Sequence, residues 1–330
     1  MQNNTTKKVL IMRLGAIGDV VHSTIIAQAI KTTYPQHVIH FITAENICPL
    51  LENNEYLDKI IPVDMNQKDN IFYLIKKGLE LRKEKYDYII NLTNSIRNMI
   101  LIKTAAPKQL IKRNAQRVHA ADAFYNTACD AFGELKKPEF INLGVDRDIQ
   151  NRFQKELSDM KHPVIIFSPG GDNDLQRQGR IWVDDYWTQL GNELVKKYNA
   201  TILVIGSPTE AQNHSQYDQI KNSHIYSGKL TLKETAALIS LCDLFISGDS
   251  GPLHLADAVG AKTIALMGST HPRSSSAYSK NGFFIEPEIS CRFCGKRKCK
   301  LLADGEKFTP CMSSIKPQKV MEIIEREHLI

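Results

Sequence analysis

The chain has 330 residues, 42% of them hydrophobic and 24% charged, with 42 Lys and Arg against 36 Asp and Glu for a net charge of +6. That length accommodates two ordinary α/β domains with full cores. The balance is too weakly basic to argue for nucleic acid and suits an anionic small substrate or an anionic membrane surface. The opening MQNNTTKKVLIM carries a basic pair, but only four apolar residues precede Arg13, short of the roughly 7–15 of a secretory core. No stretch reaches the roughly 18 apolar residues of a membrane span. A cytoplasmic protein with at most peripheral membrane contact is expected, where seven cysteines argue against a disulfide framework.

In chain order, VLIM (9–12) reads as a buried strand and 19–33 as a helix; VIHFIT (38–43) is a strand, 44–53 a short helix and KIIPV a strand. Residues 70–83 read as a helix, DYIINL (87–92) as a strand and 95–103 as a helix. Polar residues 146–161 read as a helix-like connector. The alternation then restarts with strand PVIIFSP (163–169), helix 184–198, strand TILVIG (201–206) and helix 209–221. Thr231-Leu-Lys-Glu234 has capping-box spacing. Strand DLFISG (243–248), helix 252–259 and strand KTIALMG (262–268) follow. Short apolar runs between helical patterns indicate βα units and parallel sheets. Two such series predict two doubly wound domains facing across a cleft, with ligands beyond the carboxyl ends of the strands.

Four loops at those ends carry candidate chemistry. RLGAIGDVVH (13–22) lacks both G-x-G-x-x-G and Gly-Lys-Ser/Thr, so it is neither a dinucleotide fingerprint nor a P-loop. Gly15 and Gly18 allow close approach of another molecule. Asp19 repels a phosphate but can accept a proton from a sugar hydroxyl; equally, it could serve as a helix cap. SPGGDNDLQRQGRIW (168–182) offers backbone N–H groups at Gly170 and Gly171 and guanidinium groups at Arg177 and Arg180, which suit a diphosphate. Glu210, after a strand in IGSPTE, could take both hydroxyls of a ribose, or the turn could merely cap a helix at Thr209. SGDSGPLHLADAVGAK (247–262) places Asp249, Ser250 and Gly251 in a turn and Pro252 in a first helical turn. Amides of Ser250, Gly251 and Leu253 would there face an anion, with His254 one turn on.

With these motifs in this order, the chain resembles glycosyltransferase family nine, the bacterial lipopolysaccharide heptosyltransferases, over roughly residues 8–312. The resemblance implies a GT-B fold of two Rossmann-like domains. It implies an acceptor-binding domain at 1–155, a nucleotide-sugar donor domain at 156–315, and a C-terminal helix at 316–330 packing back toward the first. It implies an inverting transfer of heptose from ADP-heptose, needing no metal. Asp19 matches the general base. Arg180 stands where the family has lysine on the donor phosphates. Glu210 matches the ribose-binding acid, and Asp249, Ser250, Gly251 and His254 match the donor turn, with Ser168, Gly170 and Leu253 beside it. Gly15, Gly18, His22 and Arg97 fall on the acceptor side. The implied acceptor is Kdo or heptose on lipid A, an anionic glycolipid at the inner membrane surface; a serine of an autotransporter protein is the alternative.

The segment Cys291, Cys294, Cys299, Cys311 has the spacing C-x2-C-x4-C-x11-C. Four thiolates so placed could hold structural Zn²⁺ or Fe, or remain reduced structural cysteines; a related branch of the family carries an iron-bound finger here. A nucleic-acid grip through this finger and Lys296-Arg297-Lys298 would leave the two-domain repeat unexplained, so no nucleic-acid partner is expected. A sugar-nucleotide epimerase or hydrolase is the other rival, and it would turn over its substrate without an acceptor.

Overall fold

The run VLIM can bury both faces only in a sheet covered on both sides. A computed structural model, describing residues 5–93, 95–114, 116–170, 179–296, 298–303 and 305–330, places it there. Strand β1 (Lys8–Met12) lies between β2 (Val38–Ala44) and β4 (Tyr88–Asn91), flanked by β3 (Lys59–Val63) and β5 (Gln109–Lys112). The order is β3-β2-β1-β4-β5 and every pairing is parallel. Leu10 is in register with His40 on one side and Ile89 on the other. Helix α1 (Ile17–Thr33) is buried along its length from Val20 to Ile30, because α5 (Ala120–Phe132) packs along its outer side. On the way, the chain forms α2 (Cys48–Leu51), α3 (Ile71–Arg82) and α4 (Ile96–Ala105), and the last two pack on each other.

The chain divides into two compact units, 1–144 and 145–330. The sequence pattern alone puts the boundary at 155. The difference is α6 (Arg147–Leu157), which buries Phe153 and Leu157 and is capped by Asp146 accepting from the amides of Asp148 and Ile149. The supposed connector is thus the first helix of the second unit.

That unit holds β6 (Val164–Ser168), α7 (Asp184–Tyr198), β7 (Thr201–Val204), α8 (Ala211–His214), β8 (Ser223–Ile225), α9 (Leu232–Ile239) and β9 (Leu244–Gly248). There follow α10 (Gly251–Ala258), β10 (Thr263–Leu266), α11 (Pro272–Ser275), β11 (Gly282–Ile285), α12 (Pro310–Ser314) and α13 (Pro317–Arg326). The sheet order is β11-β10-β9-β6-β7-β8, again all parallel. Both units are therefore doubly wound. The strand order reverses between β1 and β4 in the first and between β6 and β9 in the second. Ligands of such sheets bind outside the carboxyl ends at those points. No helix among the described residues is long and apolar enough to cross a membrane.

The capping box forms as expected, with Glu234 N–H donating to Thr231 Oγ1 at 3.3 Å and Thr231 N–H to Glu234 Oε2 at 2.9 Å. The single helix expected at 209–221 does not. It stops at His214 and tightens into a 3₁₀ turn, Ser215–Gln219, which turns Tyr217 into the core, 1% exposed. Strands β5, β8 and β11 and helix α5 lie outside the predicted elements. Helix α13 has its apolar face in the second unit: Val320, Met321 and Ile324 join the core of Trp182, Trp187 and Phe167, against α7.

Both tryptophans of the chain sit in that core, so their fluorescence follows this unit. Ile324→Ala should lower its unfolding free energy by about 2–4 kcal/mol, read as an earlier urea midpoint in tryptophan fluorescence.

Candidate functional site

At the first unit's switch point the chain leaves β1 through Arg13 and turns at Gly15 and Ala16 into α1. The Arg13 guanidinium ties this loop together. Its Nε donates to the Gly15 carbonyl at 3.2 Å, Nη1 to the Leu92 carbonyl past the end of β4 at 2.8 Å, and Nη2 to Asp19 Oδ2. Asp19, in the first turn of α1, is thereby held by one carboxylate oxygen. Sequence reading singled out Asp19 but gave Arg13 no role; the available signal was a cation six positions before a carboxylate within one loop.

Beside this loop is a cavity of about 470 Å³ lined by Arg13, Gly15, Lys68, Asp69, Thr93 and Arg97 among others. Arg97 pairs with Asp69 there, both more than half exposed. Thr93 donates to Asn91 Oδ1 at 2.8 Å and accepts from Asn98 Nδ2 at 2.7 Å, which fixes the loop after β4. Arg13, Lys68 and Arg97 outnumber Asp69 in this lining, an excess of positive charge that suits an anionic ligand. Of the four expected acceptor-side residues, Gly15 and Arg97 line this cavity. Gly18 and His22 are buried in α1, where the His22 ring meets His119 edge-on at 5.1 Å.

At the second switch point, β9 ends in Gly248, and Asp249 follows, 3% exposed. Arg180 Nε lies 3.4 Å from its Oδ2, His254 Nε2 lies 3.6 Å from Oδ1, and Ser275 donates to Oδ1 at 2.7 Å. Burial alone would raise this carboxyl; His254, the Arg180 charge and the Ser275 hydroxyl outweigh it and hold the carboxyl below its ordinary range.

Arg180 owes its place to the core. Ile181 and Trp182 are buried next to it, and the Trp182 indole donates to the Ile315 carbonyl at 2.7 Å. Its backbone crosses the end of β9 so closely that a Cβ on Gly248 would stand 2.2 Å from the Arg180 carbonyl oxygen. Only glycine admits that approach.

Helix α10 begins at Gly251 with Pro252 in its first turn and Ser250 as its N-cap, yet Ser250 makes no side-chain cap. Its Oγ is buried and, among the described residues, has no hydrogen-bond partner. The first amides of such a helix are suited to an anion. Leu253 is itself fully buried, so it brings its amide alone to that end. Ser168 ends β6, 6% exposed. Gly170, at φ 77°, has its carbonyl 2.9 Å from His214 Nε2. Glu210 folds back on its own turn, with Oε2 accepting from Ser207 N at 2.7 Å and Ser207 Oγ at 2.8 Å. The expected residues Gly171 and Arg177 lie outside the described residues.

The four cysteines differ in exposure. Cys291 and Cys294 are exposed, Cys299 is half-buried, and Cys311 is buried in the second core within 3.3 Å of Thr309 Oγ1. Burial, with Cys299 and Cys291 in the neighbourhood, pushes the Cys311 thiol up. Among the described residues, no group of three or more His, Cys, Asp or Glu side chains is placed to hold a metal ion.

Asp249 is depressed in the folded state, so its contribution to stability is whole above the unfolded carboxylate value and is lost as pH falls through the folded one. Asp249→Asn should therefore destabilise the protein at neutral pH by about 3 kcal/mol, having left Arg180 and His254 facing a neutral amide. The gap to wild type should close as pH drops below about 4. Urea midpoints at the two pH values measure both.

The chain matches Glycosyltransferase family 9 (heptosyltransferase) over residues 74–303. It is 23% identical over 348 residues to the lipopolysaccharide core heptosyltransferase OpsX of Haemophilus influenzae, covering 98% of this chain and 95% of that one. Its fold is that of the family 9 glycosyl transferase of Veillonella parvula, at TM-score 0.83 and 19% identity over 97% and 96% of the two chains. It is also that of the E. coli heptosyltransferase WaaC solved with ADP-2-deoxy-2-fluoro heptose, at TM-score 0.71 and 17% identity over 97% and 99%. The iron-containing dodecameric glycosyltransferase TibC of E. coli is more distant, at TM-score 0.60 and 14% identity over 98% and 76%. With two doubly wound units and a family match across most of its length, the chain belongs to glycosyltransferase family 9.

Proposed function

We propose that this enzyme transfers heptose, with inversion, from ADP-heptose to a hydroxyl of the lipopolysaccharide inner core, at the cytoplasmic face of the membrane. The observation that carries the reading is the anion grip of the second unit. Arg180 and the uncapped start of α10 converge on the β9 end, around a buried Asp249 that fixes them. A departing nucleoside diphosphate has the charge this grip suits, and donors fixed in advance stabilise charge as it develops. The family match and the relatives' activities support heptose as the sugar. The cationic cavity beside Arg13 and Arg97 suits an anionic inner-core sugar.

In this reading the acceptor hydroxyl attacks the anomeric carbon while the bond to the diphosphate oxygen breaks on the opposite face. The hydroxyl proton passes to Asp19. Arg13 already occupies Oδ2, so Oδ1 is the oxygen left to face the hydroxyl. A carboxylate is a weak base toward an alcohol, so proton transfer comes late, after bond formation has acidified the oxygen. Arg180 and the amides of Ser250, Gly251 and Leu253 take the charge of the leaving diphosphate. Glu210, with Oε1 beside its engaged Oε2, receives the ribose hydroxyls. No metal takes part in transfer. The cysteine segment is structural, with Cys311 as its anchor in the core.

Purified protein given ADP-heptose, with Kdo-terminated lipid A, heptose-terminated core lipid and an autotransporter fragment in parallel, tests the substrates. Transfer to a core lipid is expected by mass spectrometry. Heptose on the protein fragment alone, or ADP-heptose consumed equally fast without acceptor, would replace this reading by one of its rivals. Asp19→Asn should lower kcat by about 10²–10⁴-fold and leave the affinity for ADP unchanged by calorimetry. Turnover near wild type would remove Asp19 as the base.

A further inference from the structure

Large apolar side chains scattered singly on a surface need no explanation, whereas a contiguous patch does. Among the described residues, eight large apolar side chains are strongly exposed, and four of them stand on α3: Ile71 at 55%, Phe72 at 85%, Ile75 at 37% and Leu79 at 48%. At about 100° per residue they share one arc of the helix, about 100° wide. The neighbouring arc, Leu74, Gly78 and Leu81, is buried where α3 packs on α4. The stripe is thus not a misplaced core face; the helix already has one.

Its surroundings are basic. Residues 68–85 hold six Lys and Arg against three Asp and Glu. Lys76 and Lys83 border the stripe, Arg82 lies within it, and all three are exposed. Of the acids, Asp69 pairs with Arg97, Glu80 with Lys77, and Glu84 with Lys8 and Lys59. The helix also leads directly from the first unit's cavity: Lys68 and Asp69 line it, and Asn70 caps α3.

We infer that α3 is a membrane-docking surface, which lays Phe72, Ile71, Ile75 and Leu79 into the interface of an anionic phospholipid bilayer while Lys76, Arg82 and Lys83 meet its phosphates. An apolar arc flanked by cations is the pattern of a helix lying in a bilayer surface. A second copy of the chain would bring the same positive charges face to face, whereas an anionic leaflet neutralises them. Docking by α3 brings the mouth of the adjoining cavity to headgroup level, where the sugars of a glycolipid begin. This last consequence rests on the proposed glycolipid acceptor; the docking itself does not.

The test separates the two. Full-length protein is sedimented with vesicles of phosphatidylcholine alone and of phosphatidylglycerol and phosphatidylcholine in equal parts, with no donor or acceptor present. Wild type should pellet with the anionic vesicles only. Phe72→Ser/Ile75→Ser and Lys76→Gln/Lys83→Gln should each weaken that binding by about tenfold or more. These side chains are exposed, so the variants should keep the wild-type urea midpoint. With core acceptor, the serine variant should match wild type on the delipidated, water-soluble sugar and fall behind on acceptor embedded in anionic vesicles. Wild-type protein left in the supernatant, either variant binding as wild type, or a concentration-dependent dimer abolished by Phe72→Ser/Ile75→Ser would overturn the docking role. Vesicle binding without heptose transfer to any core acceptor would instead leave the docking role standing and reject the glycolipid reading.

Discussion

A carboxylate that is 3% exposed keeps its charge only if the groups around it repay the lost hydration. Asp249 has three such groups, and each comes from a different stretch: Arg180 from the segment before α7, His254 from α10 and Ser275 from α11. This buried charge therefore ties together one loop and two helices that no hydrogen-bond ladder joins. Arg180 could not answer it if its backbone were free. Burial of Ile181 and Trp182 and the glycine surface at the end of β9 press that backbone against the sheet. A cation that sequence reading takes from a surface loop is in fact positioned from the hydrophobic core outward.

The two units use the same topological point for opposite electrostatics. In the second, a buried anion organises a cation and a helix N-terminus, and what remains outward-facing is positive. In the first, a half-buried guanidinium organises an anion, Asp19, and two backbone carbonyls. A planar guanidinium can make three such contacts at fixed angles, which a lysine ammonium cannot. Two sheets that reverse strand order in the same way thus present a fixed cation beside a helix start in one unit and a fixed carboxylate in the other.

How much of this was legible in the sequence follows from which forces act locally. The central strands announce themselves, because a strand buried on both faces must be apolar throughout, as in VLIM and VIIFS. The capping box at Thr231 and the proline-started helix after Ser250 are equally local. The edge strands β5 and β11 are not: Gln109–Lys112 is polar at both ends and half-exposed, and its pairing with β4 is decided by its neighbour. Helix α13 could be recognised as amphipathic, but nothing in its pattern says which core receives it. Among the site residues, Asp19, Glu210 and the Asp249 turn follow from loop chemistry after strands. The Arg13 tether does not, since its partner Leu92 is 79 residues away. That Cys311 belongs to the second core is likewise beyond what its spacing can say.

Ala16 shows how the first site is maintained. It stands at φ 58°, in the left-handed region, which costs a residue with a Cβ roughly 1–2 kcal/mol. Glycine would relieve the strain, and the chain has glycines on either side of it at Gly15 and close by at Gly18. The alanine is held because Arg13 spans it, bonding Gly15 before it and Asp19 after it. Hydrogen bonds to a charged group contribute about 1.5–3 kcal/mol each, enough for the pair to outweigh the strained dihedral. The loop is then defined from both ends by one guanidinium. The Asp19 carboxylate consequently takes its direction, through Arg13, from the ends of β1 and β4 and not only from the turn in which it sits.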